Sequence, residues 1–261
     1  MVNAARKAAR GLQRDFGEVE NLQVSMKGPG DFVSSADLKA EKILREELQK
    51  ARPGYGMLLE ETGAIEGSDK SHRWIVDPLD GTTNFLHGIP QFAISIGLER
   101  QGQMVAGVVY NPVSDEMFIA EKGRGSFLNN RRLRVANRRD INQAVVCTGI
   151  PHMGRGNHPQ ALAELAAVMP HVAGIRRTGS AALDLSYVAA GRFDGFWESD
   201  LAPWDMAAGL IILREAGGFA TDITGGEQIF KTKSVIATND MLARPLLDLI
   251  RKGRRSAPTA S

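Results

Sequence analysis

The chain contains a single cysteine, Cys147, which excludes an internal disulfide and a cysteine-based metal centre. It stands in the apolar run 144–148, where a cysteine behaves as a small buried hydrophobe rather than a nucleophile. Excess charge is also lacking: a net +2 makes no general case for nucleic acid. Basic clusters occur at Arg131-Arg132-Leu133-Arg134, Arg138-Arg139, Arg176-Arg177 and Arg251-Lys252-Gly253-Arg254-Arg255. No aromatic residues are interleaved there for stacking on bases, so each reads as a solvated face or terminus. No apolar run approaches the roughly 20 residues that cross a bilayer. Residues 1–14 are basic without an apolar centre or a small-residue cleavage site, so no secretory signal is expected and the setting is read as cytoplasmic. The five histidines are scattered, and His87, nearest the acidic motif below, reads as a helix-end residue.

What is present is an acidic motif. Residues 74–85 read Trp-Ile-Val-Asp-Pro-Leu-Asp-Gly-Thr-Thr-Asn-Phe. Trp74, Ile75 and Val76 suit a buried strand, and Pro78 is expected to stop it, which makes Asp77 a strand-end carboxylate. Asp80 follows three residues later, and Gly81-Thr82-Thr83-Asn84 reads as a turn into a short helix whose first N–H groups lack internal partners. Two carboxylates around a proline, next to bare amides, offer oxygen ligands to a divalent cation and a cradle to a phosphate. Mg²⁺ suits such a site because it is usually shared between one or two carboxylates and a substrate phosphate. The generic alternative is an N-capping Asp beside a surface Asp; Pro78 and Gly81-Thr82-Thr83 around the pair favour the site.

The run Asp77-Pro78-Leu79-Asp80-Gly81-Thr82-Thr83-Asn84-Phe85 strongly resembles the signature of the inositol monophosphatase family, within the wider group of metal-dependent, lithium-sensitive phosphatases.

Taken in order, residues 4–16 predict a packing or dimer helix with apolar positions at Ala5, Ala8, Ala9, Leu12 and Phe16. Gly28-Pro29-Gly30-Asp31 is a turn after Lys27, which could form one side of a phosphate-facing loop. Ser34-Ser35-Ala36-Asp37 opens a helix to about Lys50, with Leu38, Ile43, Leu44 and Leu48 expected to be buried. Asp37 in its first turn suits the helix dipole as well as it suits function. A strand over 55–59 ends in Glu60-Glu61, a second strand-end acidic pair, so adjacent strands deliver carboxylates to one edge and Glu60 completes the cation site. Residues 64–72 read as a polar loop. An antiparallel meander then occupies 92–98, 104–110, 116–121 and 126–127. Strands and helices alternate from near Arg139: strands over 144–148, 172–176, 193–197 and 235–238, helices over 159–169, 180–190, 203–215 and 240–250. This gives one domain over 1–252, with subdomains at about 1–138 and 139–252, and a basic, disordered tail over 253–261.

Trp204-Asp205-Met206-Ala207-Ala208-Gly209, continuing into Arg214-Glu215-Ala216-Gly217-Gly218, looks like the family's second motif. The resemblance runs from about Asp31 to Gly226; the family usually has glycine before the Glu-Glu pair, where Leu59 stands here. It implies an α+β fold layered α-β-α-β-α, an antiparallel meander half plus an α/β half, with the site between halves. It implies two or three Mg²⁺ ions: one on Glu60, Asp77 and the Leu79 carbonyl, a second on Asp77, Asp80 and Asp205, and a weaker third on Glu60 and water. It makes Thr82, hydrogen-bonded to Asp37, the activator of the attacking water, with Glu60 beside them as the third catalytic residue. Asp80, Gly81, Thr82, Ala181, Glu198 and Asp205 contact the substrate, with Gly179 and Ser180 nearby. Four carboxylates could not converge without cations to offset their repulsion. The expected activity is hydrolysis of inositol monophosphate by a lithium-sensitive homodimer. Alternatives are the same chemistry on histidinol phosphate, fructose 1,6-bisphosphate or a nucleotide 3′-phosphate, or a regulatory protein that binds the transcription machinery.

Overall fold

A computed structural model describes residues 1–16, 24–28, 31–152 and 156–257. The first half comprises α1 (Val2–Phe16), β1 (Val24–Gly28), β2 (Asp31–Ser34), α2 (Ser35–Ala51), β3 (Tyr55–Leu59), β4 (Gly63–Ile65), β5 (Asp69–Asp80) and α3 (Thr82–Leu86). The meander follows as β6 (Ala93–Arg100), β7 (Gln103–Asn111), β8 (Glu116–Glu121), β9 (Gly125–Leu128) and β10 (Arg131–Arg132). The second half runs β11 (Val145–Thr148), α4 (His158–Val168), β12 (Gly174–Arg176), α5 (Ala181–Ala189), β13 (Gly195–Ser199), α6 (Pro203–Glu215), β14 (Phe219–Thr221), α7 (Ile229–Thr232), β15 (Ser234–Thr238) and α8 (Asp240–Ser256).

Among the described residues the strands form a β1-β2 hairpin, an eight-stranded sheet ordered β10-β9-β8-β7-β6-β5-β3-β4 and a five-stranded sheet ordered β12-β11-β13-β15-β14. Side chains of a strand alternate between faces, and the burial pattern divides accordingly. On β5, Trp74 and Val76 enter a core with α1 and α2, while Ile75 between them faces a core with α5 and α6. On β13 of the smaller sheet, Phe196 faces α5 and α6 and Trp197 faces the outer layer of α4 and α8. The order is therefore α-β-α-β-α, as expected.

The central layer explains how the halves share one core. Helix α6 is buried at every position from Met206 to Leu213, as a helix between two sheets must be. Its approach to the large sheet requires glycine: a Cβ on Gly107 would sit 2.5 Å from Ile211 Cγ2 and 2.7 Å from the Ala208 carbonyl oxygen, and one on Gly97 would sit 2.9 Å from Ala207 Cβ. Gly97 and Gly107 are paired across β6 and β7. Together with Ala207 and Ala208 they bring the two backbones close and fix the height of Asp205 above the sheet.

Four expectations change. Pro78 does not end its strand: β5 continues to Asp80, and three steps on β5, Asp77 to Asp80, span two on β6, Ser95 to Ala93. A bulge absorbs the residue that has no N–H to donate. Residues 64–72 are not a loop, because Gly63, at φ +82°, turns the chain so that β4 pairs with β3, and β5 begins at Asp69. Leu38 is 55% exposed, and Ala36, Ala40 and Glu41 take the buried face of α2 beside Leu44 and Leu48. Helix α8 continues through Gly253 to Ser256, since Gly253 packs on the α4 backbone and Arg254 Nη1 donates to Glu164 Oε1 at 2.7 Å. Residues 258–261 of the expected tail, and the turn at 29–30, lie outside the described residues.

The tight approach of α6 makes opposite predictions for two glycines. Gly107→Val should destabilise by about 1–3 kcal/mol through overpacking. Gly11→Ala, inside α1 with nothing within 4 Å of the added carbon, should stabilise by about 0.5–1 kcal/mol. Calorimetric melting reads both signs, and a Gly107→Val protein that melts with wild type contradicts the packing described.

Candidate active site

Strands β3 and β5 run parallel, with Leu59 opposite Val76, so Glu60 and Asp77 leave the same edge side by side. The Glu60 N–H donates to the Val76 carbonyl at 3.2 Å, which carries the ladder one residue past β3. Leu59 is fully buried there. Within the bulge, the Asp77 Oδ1 accepts the Leu79 N–H at 2.8 Å. Asp80 is held from the other half of the chain: its Oδ2 accepts Ser180 Oγ at 2.6 Å and the Ala182 N–H at 2.7 Å. Asp205 is the third residue of α6, where its Oδ2 accepts the Ala202 N–H at 2.7 Å and closes the helix start.

These elements surround a cleft of about 430 Å³ lined by residues of both halves, including Glu60, Asp77, Leu79, Asp80, Glu198 and Asp205. One oxygen from each of Asp77, Asp80 and Asp205 lies within 4.8 Å of the others. Glu60 borders the same cleft outside that trio. It is near enough to Asp77 to act on its titration.

The electrostatics follow from burial and like charge. Burial raises the Asp77 carboxyl well above its usual range, and Glu60, Asp80 and Asp205 push it further. Asp80 is pushed up to about 6, chiefly by burial, against the pull of its bonds to Ser180 and Ala182. Glu198 rises well above the normal value through burial and then through Asp184, Asp205 and Asp80. Arg177 pulls the Glu198 carboxyl back down, but burial and the neighbouring carboxylates outweigh it. A divalent cation taking oxygen ligands fits the donor set, and Mg²⁺ is the ion such sites hold with phosphate.

Beside the trio stands a neutral group with a buried acceptor. The Thr82 hydroxyl lies 3.1 Å from both Asp37 Oδ1 and the Leu79 carbonyl oxygen, and its one proton serves one of them at a time. Asp37 itself does not line the cleft. It is fully buried, its Oδ2 accepting Ser34 N–H at 2.9 Å and Ser34 Oγ at 2.5 Å, and burial raises its carboxyl. Ser34 and Asp37 form a reciprocal cap on α2. Gly81, at φ +99°, turns the chain from β5 into α3, and a Cβ there would meet the Gln91 carbonyl oxygen at 3.0 Å. Ala181 lines the cleft at the start of α5, and Glu198 lines it from β13. His87 caps the end of α3 with its Nδ1 2.8 Å from the Thr83 carbonyl oxygen, and Cys147 is buried, both as expected. The Lys27 side chain lies outside the described residues.

Sequence reasoning passed over several residues of the cleft. Gly149 leaves room for the Glu198 carboxyl, which a Cβ would meet at 1.9 Å. Asp184, whose carboxyl burial lifts to about 7, accepts Thr178 Oγ1 at 2.6 Å one helical turn from Ser180. Behind the cleft, Asn84 of the first motif donates its Nδ2 to the carbonyls of Gln91 and Thr178, at 2.7 and 2.8 Å, and ties that motif to the segment that carries Ser180. None had a local signal, except that Asn84 stands in the motif itself.

The model of the family described as "Inositol monophosphatase family" matches residues 1–255. An inositol-1-monophosphatase of Mesorhizobium japonicum is 63% identical over 252 residues, which is 97% of this chain and 95% of that protein. The Nus factor SuhB of Escherichia coli K12 is 40% identical over 246 residues, 94% of this chain and 92% of that one. A solved structure of the extragenic suppressor protein suhB from Bartonella henselae superposes with a TM-score of 0.95 at 60% identity, covering 97% of each chain. With the family model matched over nearly the whole chain and relatives of this identity along its length, the chain belongs to the inositol monophosphatase family.

Proposed function

We propose that the protein is a Mg²⁺-dependent phosphomonoesterase that hydrolyses inositol monophosphate to inositol and phosphate. The observation that carries this reading is the convergence of Asp77, Asp80 and Asp205 within 4.8 Å in a cleft shared with Glu60 and Thr82. Mg²⁺ would be held by Glu60, Asp77, the Leu79 carbonyl, Asp80 and Asp205, as two or three ions. Bound there, it supplies positive charge to the phosphate and leaving oxygen and lowers the pKa of a water.

The remaining work belongs to the chain. Thr82 orients the attacking water with a lone pair and relays its proton toward Asp37, whose raised carboxyl is a ready acceptor. Glu60 fixes the same water from the other side of the cleft. The backbone amides of Gly81 and Thr82 bind phosphate oxygens. Asp80, Ala181, Asp205 and Glu198 face the polyol, and Glu198, resting over Gly149, accepts hydrogen bonds from ring hydroxyls. Lithium inhibition, a homodimeric state, a cytoplasmic setting and a single unit over 1–252 are further parts of the proposal. No described helix is long and apolar enough to cross a membrane.

A second reading rests on the relatives that carry the suhB name: the phosphatase body acting as a scaffold for the transcription machinery. Asp80→Asn with Asp205→Asn separates the two in a cellular complementation assay, since catalysis requires both carboxylates and scaffolding neither.

A steady-state panel tests the substrate: inositol monophosphate should exceed histidinol phosphate, fructose 1,6-bisphosphate and a nucleotide 3′-phosphate in kcat/KM, and a low rank refutes the specificity. Asp77→Asn should lower kcat/KM by more than about 100-fold. Mg²⁺ at about 100 times its Kd should stabilise wild type by about 2.7 kcal/mol and leave this variant's melting unchanged. Without metal the variant should melt no lower than wild type, because a neutral amide replaces a carboxyl whose charged form burial and its neighbours oppose; a lower melting point contradicts the repulsion described. Thr82→Val, which keeps the shape and removes the hydroxyl, should lower kcat by about 10²–10⁴-fold with an unaltered Mg²⁺ midpoint.

A further inference from the structure

We infer that Glu41 is a positioning residue for Glu60, acting through the backbone that follows it. Glu41 lies one helical turn after Asp37 on α2, so both carboxylates project from the same buried side of that helix. Asp37 reaches Thr82. Glu41, only 3% exposed, accepts the Glu61 N–H on Oε2 at 2.8 Å and the Thr62 hydroxyl on Oε1.

The geometry makes this more than a buried acid satisfied by a turn. Glu60 has two flanking peptide units. The one before it is held by the bond from Glu60 N–H to the Val76 carbonyl. The one after it carries the N–H that Glu41 accepts. With both planes fixed, the Cα–Cβ bond of Glu60 has one direction, into the cleft beside Asp77. The residue before it is Leu59, which locks the strand end by burial and supplies no turn of its own. Without Glu41 the second plane loses its tie to α2, and the aim of the Glu60 carboxylate loosens while the backbone ties of Asp77, Asp80 and Asp205 are untouched.

The inference rests on the reading of Glu60 as a Mg²⁺ ligand. Calorimetric titration of purified protein with Mg²⁺ alone tests it, with wild type and Asp77→Asn as references. Glu41→Ala should weaken Mg²⁺ binding by about 10–100-fold, the usual effect of removing a group that orients a ligand. Glu41→Met, which keeps the volume, replaces it if the alanine variant does not fold. Glu41→Gln should restore binding to within about threefold of wild type, because its amide can accept the Glu61 N–H and donate to Thr62 Oγ1. In assays at saturating Mg²⁺, the KM for inositol monophosphate should stay within about twofold in all three, a split that general loosening of the fold would not produce. Mg²⁺ isotherms of Glu41→Ala or Glu41→Met that superimpose on wild type overturn the inference, as does Glu41→Gln falling as far as alanine. Wild type binding no Mg²⁺, or Asp77→Asn binding it normally, overturns the metal reading itself.

Discussion

Mutual repulsion among clustered carboxylates, two of them buried, is the constraint around which this molecule is arranged. Two unit charges at the separation of the Asp77, Asp80 and Asp205 oxygens, within 4.8 Å, would oppose each other by at least about 3.5 kcal/mol at an effective dielectric of about 20. Three such pairs rival the whole net stability of an ordinary domain, about 5–15 kcal/mol. A flexible chain would relieve this by moving the charges apart. Here each carboxylate is tied to a rigid element: Asp77 to a bulged strand, Asp80 to the start of α5, Asp205 to the start of α6. The raised carboxyls of Asp77 and Asp80 record the strain that remains.

The layers serve this purpose. Asp80 belongs to the large sheet and its two hydrogen-bond donors belong to α5, so the site exists only while the halves are docked. Docking depends on α6 lying flat against Gly97 and Gly107, and on α5 against Gly209, where a Cβ would meet Leu185 at 2.6 Å. Close packing in the central layer thereby sets the geometry at its edge. A cation bound between the halves would add to the same docking, coupling metal binding to the stability of the whole.

The sequence announced the parts of the site whose chemistry is local. Asp77-Pro78-Leu79-Asp80-Gly81-Thr82 is continuous, and the strand character of 55–59 and 74–76 was enough to place Glu60 beside Asp77. Ser34 and Asp37 formed a legible helix start, and the alternation of the second half gave α5, α6 and β13 close to their observed limits. What stayed hidden depends on distant contacts. Pro78 sits in a strand because β6 tolerates a bulge there, β4 exists because β3 offers it an edge, and α8 runs on because Glu164 meets Arg254. Nothing local marks Gly149, over which the Glu198 carboxyl lies. Glu41 carries no local signal, although it is buried under the turn that follows β3.

The claim most exposed to refutation is that the acidic residues meet in order to hold metal. Crystals soaked in Mn²⁺, which takes the same oxygen ligands and scatters anomalously, give the direct answer. Anomalous peaks are expected between Asp77, Asp80 and Asp205 and between Asp77 and Glu60. A clean map there at millimolar Mn²⁺, with the carboxylates still converged, would contradict it.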